Sequence, residues 1–180
     1  MRTGTAGTAA AILAFLLAGC GRVESPAPEV AAKQPDTGAA RLATTVHVAD
    51  PKMAGQLVGG FHNVENGSWR WTQRQFTVVL GTPAGAAKTG ATLELHLTVP
   101  PPSIEKLGSL TLTASIDGTD LGPETYSKAG PYVYKRDVPA RLLAGDSAKV
   151  LFQLDKALQP GGADIRELGV VVTSAGLEPK

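Results

Sequence analysis

Apolar and polar positions alternate with period two along much of the chain. Ala91, Leu93, Leu95, Leu97 and Val99 fall on one side of an extended segment, with Thr92, Glu94, His96 and Thr98 on the other. Leu110, Leu112, Ala114 and Ile116 repeat the pattern against Thr111, Thr113 and Ser115. Ala148, Val150, Phe152 and Leu154 repeat it against Lys149 and Gln153. A strand gathers such residues on one face, whereas a helix would scatter them around its circumference. Phe76 to Leu80 and Leu168 to Thr173 are more continuously apolar, as central strands are. Tyr132, Tyr134 and Val138 mark a further strand. Turn chemistry separates the runs: Pro100-Pro-Pro102 must leave the sheet, Asp117-Gly118 signals a tight hairpin, and Pro160-Gly-Gly162 opens a longer loop. About eight to ten short strands in the C-terminal three-quarters of the chain predict an all-β, two-sheet β-sandwich of jelly-roll type, with a closed barrel as the alternative.

The first forty residues read differently. Arg2 and a small-residue stretch precede the apolar run Ala9–Ala18, which is too short for a membrane span of roughly 20 residues. Leu16-Leu-Ala-Gly-Cys20 resembles the lipobox of bacterial lipoproteins. The resemblance implies cleavage after residue 19, lipidation of Cys20 and anchoring by several acyl chains. An ordinary signal peptide with an incidental cysteine is the alternative. Cys20 is the single cysteine, so no intrachain disulfide supports the fold. Residues 20–41, with Ser25-Pro-Ala-Pro-Glu29 and Ala31-Ala-Lys-Gln-Pro35, hold too few large apolar residues to bury anything. They predict an extended tether reaching roughly 60 Å, and residues 42–180 form the folded domain. Gly21 follows the cysteine, with no Asp to resemble an inner-membrane retention signal. The expected location is therefore a bacterial cell envelope, on the outer membrane where two membranes exist.

Charge narrows the partners. Loss of residues 1–19 takes the 17 basic residues to 16, matching the 16 acidic ones. The signs are interspersed without a basic stripe, which argues against nucleic acid. Trp69 and Trp71, the only tryptophans, lie two apart and so point the same way on a strand. Indole faces stack on the C–H faces of sugar rings, and Arg70 or Asn66 could hydrogen-bond to hydroxyls. The alternative makes one or both indoles core residues; if one faces solvent, Trp69 is expected, beside the Asn66-Gly67 turn.

Other chemistry is weaker. His47, His62 and His96 lie in separate segments without metal-ligand spacing, so no metal or cofactor is expected. Calcium, common in carbohydrate-binding sandwiches, would draw on carbonyls with Asp117, Asp120 or Asp155, but no ligand pattern marks it. Gly145-Asp-Ser147 matches a serine-esterase nucleophile motif but lacks the flanking pattern and a downstream histidine; a turn explains it better. Asn66-Gly-Ser68 fits a glycosylation acceptor and is read more simply as a turn. Glu65 with Glu94 or Asp164 would need a separation of about 5 Å or 6.5–9.5 Å to form a glycosidase pair.

Two segments resemble a family of small bacterial jelly-roll domains. Gly60-Phe-His-Asn-Val-Glu-Asn-Gly-Ser-Trp-Arg-Trp-Thr72 is similar to its opening, and Asp164-Ile-Arg-Glu-Leu-Gly-Val-Val-Val172 to its closing segment. Between them, Leu112 to Gly122 is similar to the family's strand, small-residue turn and Leu-Gly hairpin. The likeness spans Leu57 to Leu177. Such domains are seen beside glycosyltransferases and polysaccharide-export systems, and resemble galactose-binding-like and other carbohydrate-binding modules. Glu65, Arg70, Asp164 and Arg166 lie in these two segments. The resemblance implies either a charged network, Arg70 with Asp164 or Glu65, or the rim of a glycan site. The expected function is a membrane-anchored, non-catalytic domain that binds cell-envelope polysaccharide. The alternative is a structural or assembly subunit that binds an envelope protein.

Overall fold

The alternating runs form strands whose apolar sides face one another across two layers. The computed structural model describes residues 41–180 except residue 163. It holds ten strands: β1 Thr45–His47, β2 Leu57–Glu65, β3 Trp69–Gly81, β4 Ala91–Val99, β5 Leu110–Ile116, β6 Thr119–Asp120, β7 Glu124–Tyr126, β8 Gly130–Val138, β9 Ser147–Leu154 and β10 Val171–Pro179. Short helices α1 Ala86–Thr89 and α2 Pro101–Leu107 join them. The Pro100-Pro-Pro102 run leaves the sheet as expected, and its prolines open α2, where a missing N–H costs nothing.

All pairings are antiparallel, and β3 is where the two sheets meet. Its C-terminal half, Gln75–Gly81, pairs with β9, which pairs with β5. Its N-terminal end pairs through Arg70 and Trp71 with β10, which pairs with β4 and then β8. Strand β2 follows β3 along its other edge, and β1 extends the second sheet beside β10. The first sheet is thus β5–β9–β3–β2, with β6 and β7 on β5. The second is β8–β4–β10 with β1 and the head of β3. The strand order runs from β6 to β8 without the ends pairing, which makes a jelly-roll sandwich rather than a closed barrel.

Phe76, Val78 and Leu80 of β3 and Val150, Phe152 and Leu154 of β9 are buried against Leu93, Leu95 and Leu97 of β4 and Tyr134 of β8. Phe152 stacks on Phe76 at 5.0 Å and meets Tyr134 edge-on at 6.3 Å, joining the layers. Thr72 sits fully buried at the fork. Its amide donates to Val170 O (2.8 Å), its carbonyl accepts from Gly169 N (2.7 Å), and its Oγ1 accepts from Val170 N (3.1 Å). These bonds hold Gly169 and Val170 outside the regular ladder. Strand β10 accordingly begins at Val171, not at Leu168 as the apolar run suggests. A Cβ on Gly169 would lie 2.7 Å from Gln73 O, Leu154 Cδ1 and Thr72 Oγ1, so only glycine permits this approach.

Candidate functional site

The β2–β3 hairpin turns at Asn66 and Gly67, both with positive φ (49° and 66°), and Ser68 N–H donates to Glu65 O (3.1 Å). That conformation favours Asn and Gly, so the turn chemistry sets where β3 begins. Trp69 and Trp71 follow on one side of the strand, as their spacing predicts. Their rings meet edge to face, centroids 6.4 Å apart and planes at 76°. Both are half-buried: neither is a core residue, and neither is singled out for solvent over the other. Strand register places Trp71 in a row with Val171, Thr98 and Pro131. The next row is His47, Ser174, His96 and Val133. The indoles therefore form one corner of the second sheet's outward face, next to hydroxyl and imidazole groups.

Arg70 does not join them. It alternates to the inward side, opposite Val172, where its guanidinium donates to Val48 O (2.7 Å) and His62 O (2.9 Å). Its role is to tie β1 and β2 to the head of β3, so the expectation of a hydroxyl-binding Arg70 is corrected. The network also uses a different arginine. Arg166 donates twice to Asp164 (Nε–Oδ1 3.0 Å, Nη2–Oδ2 2.8 Å) and once to Glu65 Oε1 (2.8 Å), and its amide adds a bond to Asp164 Oδ1 (3.0 Å). Arg70 pairs with neither acid. The hydrogen bonds from Arg166 hold the Asp164 carboxyl down to about 2. Asn66 is exposed at the hairpin tip. Cys20 lies outside the described residues.

The other candidates do not converge. His47 and His96 share a row but lie two strand spacings apart, ~10 Å, too far for one ion. His62 Nε2 lies 2.8 Å from Glu167 O. Asp120 accepts from Gly122 N and Asp155 from Thr111 N, each at 2.7 Å. Among the described residues no three His, Cys, Asp or Glu side chains cluster as metal ligands do. Gly145 and Asp146 form the bend before β9, and Ser147 is its exposed first residue. Glu65 and Asp164 share one guanidinium, and Glu94 holds Lys135 at 2.7 Å.

Sequence reasoning passes over a second depression. On the outward face of the first sheet a hollow of about 620 Å³ is lined by Gln75 and Thr77 of β3, Lys149 and Leu151 of β9, Ser115 of β5 and the glycine pair Gly59-Gly60 of β2. The one hint in the sequence is that the polar sides of β3, β5 and β9 carry amides and hydroxyls more than charges.

No family model matches the chain, and no curated protein does. Solved structures similar to it include three. One is a family GH115 4-O-methyl-α-glucuronidase with specificity for decorated arabinogalactans (14% identity, TM-score 0.45, 81% of this chain and 19% of that one). Another is the M60 catalytic domain with the CBM51-1 and CBM51-2 domains from Clostridium perfringens ZmpB (12%, 0.37, 76% and 13%). The third is a CBM4 structure (10%, 0.34, 76% and 85%). The chain spans less than a fifth of the length of the first two. At these scores the likenesses assign no ligand or activity, and the two-sheet architecture rests on the strand pairing above.

Proposed function

We propose that this chain is a lipid-anchored, non-catalytic module of a bacterial envelope that holds cell-envelope carbohydrate against the indoles of Trp69 and Trp71. The observation that carries it is the pair of half-buried indoles on the second sheet's outward face, where a sugar ring can lie on one ring and touch the edge of the other. Thr98, Ser174 and Asn66 lie close enough in register or sequence to meet its hydroxyls. The tether expected over residues 20–41 would enter at the far end of the domain. Ala43 O accepts from Gly81 N (2.9 Å), and the buried Gln56 side chain pins Ala43 N, Ala43 O and Val79 O. Trp69 stands at the opposite end of the 13-residue β3, up to ~40 Å away along a strand rising about 3.3 Å per residue.

The non-catalytic reading rests on the carboxylates. A glycosidase acid must hold its proton near neutral pH, which needs a raised pKa. Asp164 and Glu94 are both shifted downward, chiefly by hydrogen bonds from Arg166 and Lys135. A second reading, an envelope protein as partner, draws on Ile165. It is 86% exposed, yet flanked by the mutually bonded Asp164 and Arg166.

The test is titration of the full chain with envelope polysaccharide purified from its own bacterium, followed by Trp fluorescence. The expected result is a saturable shift that Trp69→Ala or Trp71→Ala weakens at least tenfold while near-UV circular dichroism of the rest is kept. No shift in the folded wild type would overturn the carbohydrate reading and favour the Ile165 surface.

A further inference from the structure

We infer that the first sheet carries a separate carbohydrate site, a groove that takes a neutral, hydroxyl-rich polysaccharide strand through side-chain amides and hydroxyls. It goes beyond the indole reading and does not depend on it, lying further along the same outward side of β3 that carries Trp69 and Trp71. Register builds the groove. Gly59, Thr77, Leu151 and Ser115 form one continuous row across β2, β3, β9 and β5. Gln75, Gln153 and Thr113 form the next row. Strands β3 and β9 make the floor. The Gly59-Gly60 bulge stands on one side and the Asp117-Gly118 turn on the other. Four strands at about 4.8 Å give a width of ~14 Å, room for more than one sugar ring. Past Gln75 the floor runs on to a second hollow of about 320 Å³ at Gln73, Arg74, Gln153 and Glu167.

The polar groups of the floor are free to act on a ligand. Among the described residues, the side chains of Gln73, Gln75, Thr77, Ser115, Lys149 and Gln153 make no hydrogen bond or ion pair with one another or with the rest of the domain; only the Gln153 backbone is used, accepting from Thr113 Oγ1 (3.3 Å). An amide offers both donors and an acceptor, and a hydroxyl does the same, so the set matches a polymer that presents both at every ring. Other ligands fit less well. Lys149 is balanced by Asp117, which leaves no basic track for a polyanion. Leu151 is a lone apolar side chain on the floor, too little for a lipid. The backbone of β3 and β9 is already paired on both edges, so an extended peptide cannot add as a strand.

Two adjacent glycines separate this site from mere surface. Gly60 has φ 78°, and a Cβ there would meet Gln75 O at 2.0 Å, so the bulge itself requires glycine. Gly59 lies outside the positive-φ region, and its Cβ would meet nothing within 4 Å. A side chain at Gly59 would therefore enter the groove without disturbing the core.

The experiment is affinity electrophoresis of the full chain through gels containing dextran, mannan, galactan or β-glucan. The expected result is retardation in at least one gel, with affinity lowered at least tenfold by Gly59→Phe and by the double variant Gln75→Ala, Gln153→Ala. Unchanged near-UV circular dichroism would show that both variants fold. Retardation in no gel, or retardation that survives Gly59→Phe, overturns the groove. Trp69→Ala in the same gels separates the two readings. If it alone abolishes binding, the indole corner stands and the groove falls. If Gly59→Phe alone abolishes it, the groove stands.

Discussion

The two outward faces of the sandwich are both polar, but they dispose of their polar groups in opposite ways. On the second sheet they satisfy one another. Glu94 holds Lys135 at 2.7 Å and His96 at 3.6 Å, Lys180 holds Asp137 at 2.8 Å, and Thr45 Oγ1 donates to Glu178 at 3.3 Å. On the first sheet, the side chains of Gln75, Thr77, Ser115 and Gln153 bond to nothing else in the described domain, and Gln75, Thr77 and Ser115 line a hollow. A charge ladder that closes on itself serves solubility and offers a ligand little, so on the second face binding is left to the indole corner and the hydroxyls of Thr98 and Ser174 beside it. An array of unpaired neutral groups in a depression has its whole bonding capacity available. Counting polar residues would not distinguish the faces; asking what each group already bonds to does.

The largest expected effect tests whether the faces share one support. Phe152 lies under the groove and touches both Phe76 and Tyr134. Phe152→Ala should cost about 3–5 kcal/mol in urea unfolding, through lost burial and the cavity left behind. A loss below ~1 kcal/mol would mean that the layers are held elsewhere.

Gly60→Ala comes next, because it strikes the groove wall where it packs on Gln75 and Phe76 of β3. Left-handed backbone and the approach to Gln75 O together should cost ~2–3 kcal/mol, while Gly59→Ala next to it should stay within ~0.5 kcal/mol. The check is the pair of unfolding curves together with Trp emission, which neither variant should shift. Equal costs at the two positions would remove the bulge as the device that shapes this face.

How much of this was legible in the sequence depended on whether inward positions are apolar. Strands β4 and β5 match their alternation residue for residue. In β3 only Phe76 to Leu80 could be read, because the inward positions nearer its head hold Arg70 and Thr72, which bond to backbone instead of joining the core. The common orientation of Trp69 and Trp71 followed from their spacing. Which arginine meets Glu65 and Asp164 did not, since it depends on how the loop before β10 meets the β2–β3 hairpin. The groove was illegible for the same reason: its rows join residues of four strands through register, and no single segment displays them.

A smaller effect probes the link between the indole corner and its neighbouring loop. The Asp164 carboxyl, ordinarily near 3.8, is held down to about 2 in the fold by the hydrogen bonds from Arg166. A depressed carboxyl stabilises the fold above its unfolded value and loses that contribution as the pH falls toward the folded one. Wild type should therefore be more stable than Asp164→Asn at pH 5, and the gap should close between about pH 4 and pH 2. Unfolding curves at stepped pH, with Arg166→Ala as a control that lacks the gap, provide the check. A gap that persisted at pH 2 would assign the effect of Asp164 to packing rather than charge.

The smallest effect bears most directly on the contrast between the faces. Glu94 and Lys135 are bonded at 2.7 Å, but the lysine side chain is 58% exposed and the glutamate 20%. Exposed pairs of this kind are worth about 0.2–1 kcal/mol and are screened by salt. Glu94→Gln should accordingly lower stability by ~0.5 kcal/mol or less in dilute buffer, and by nothing measurable in concentrated salt. It should leave retardation in polysaccharide gels untouched, because the ladder it breaks is closed on its own sheet and lies across the core from Gln75 and Thr77. Were Glu94→Gln to alter groove affinity, the core between the layers would be transmitting a change that a rigid, close-packed sandwich should absorb, and the two faces would have to be treated as one coupled surface.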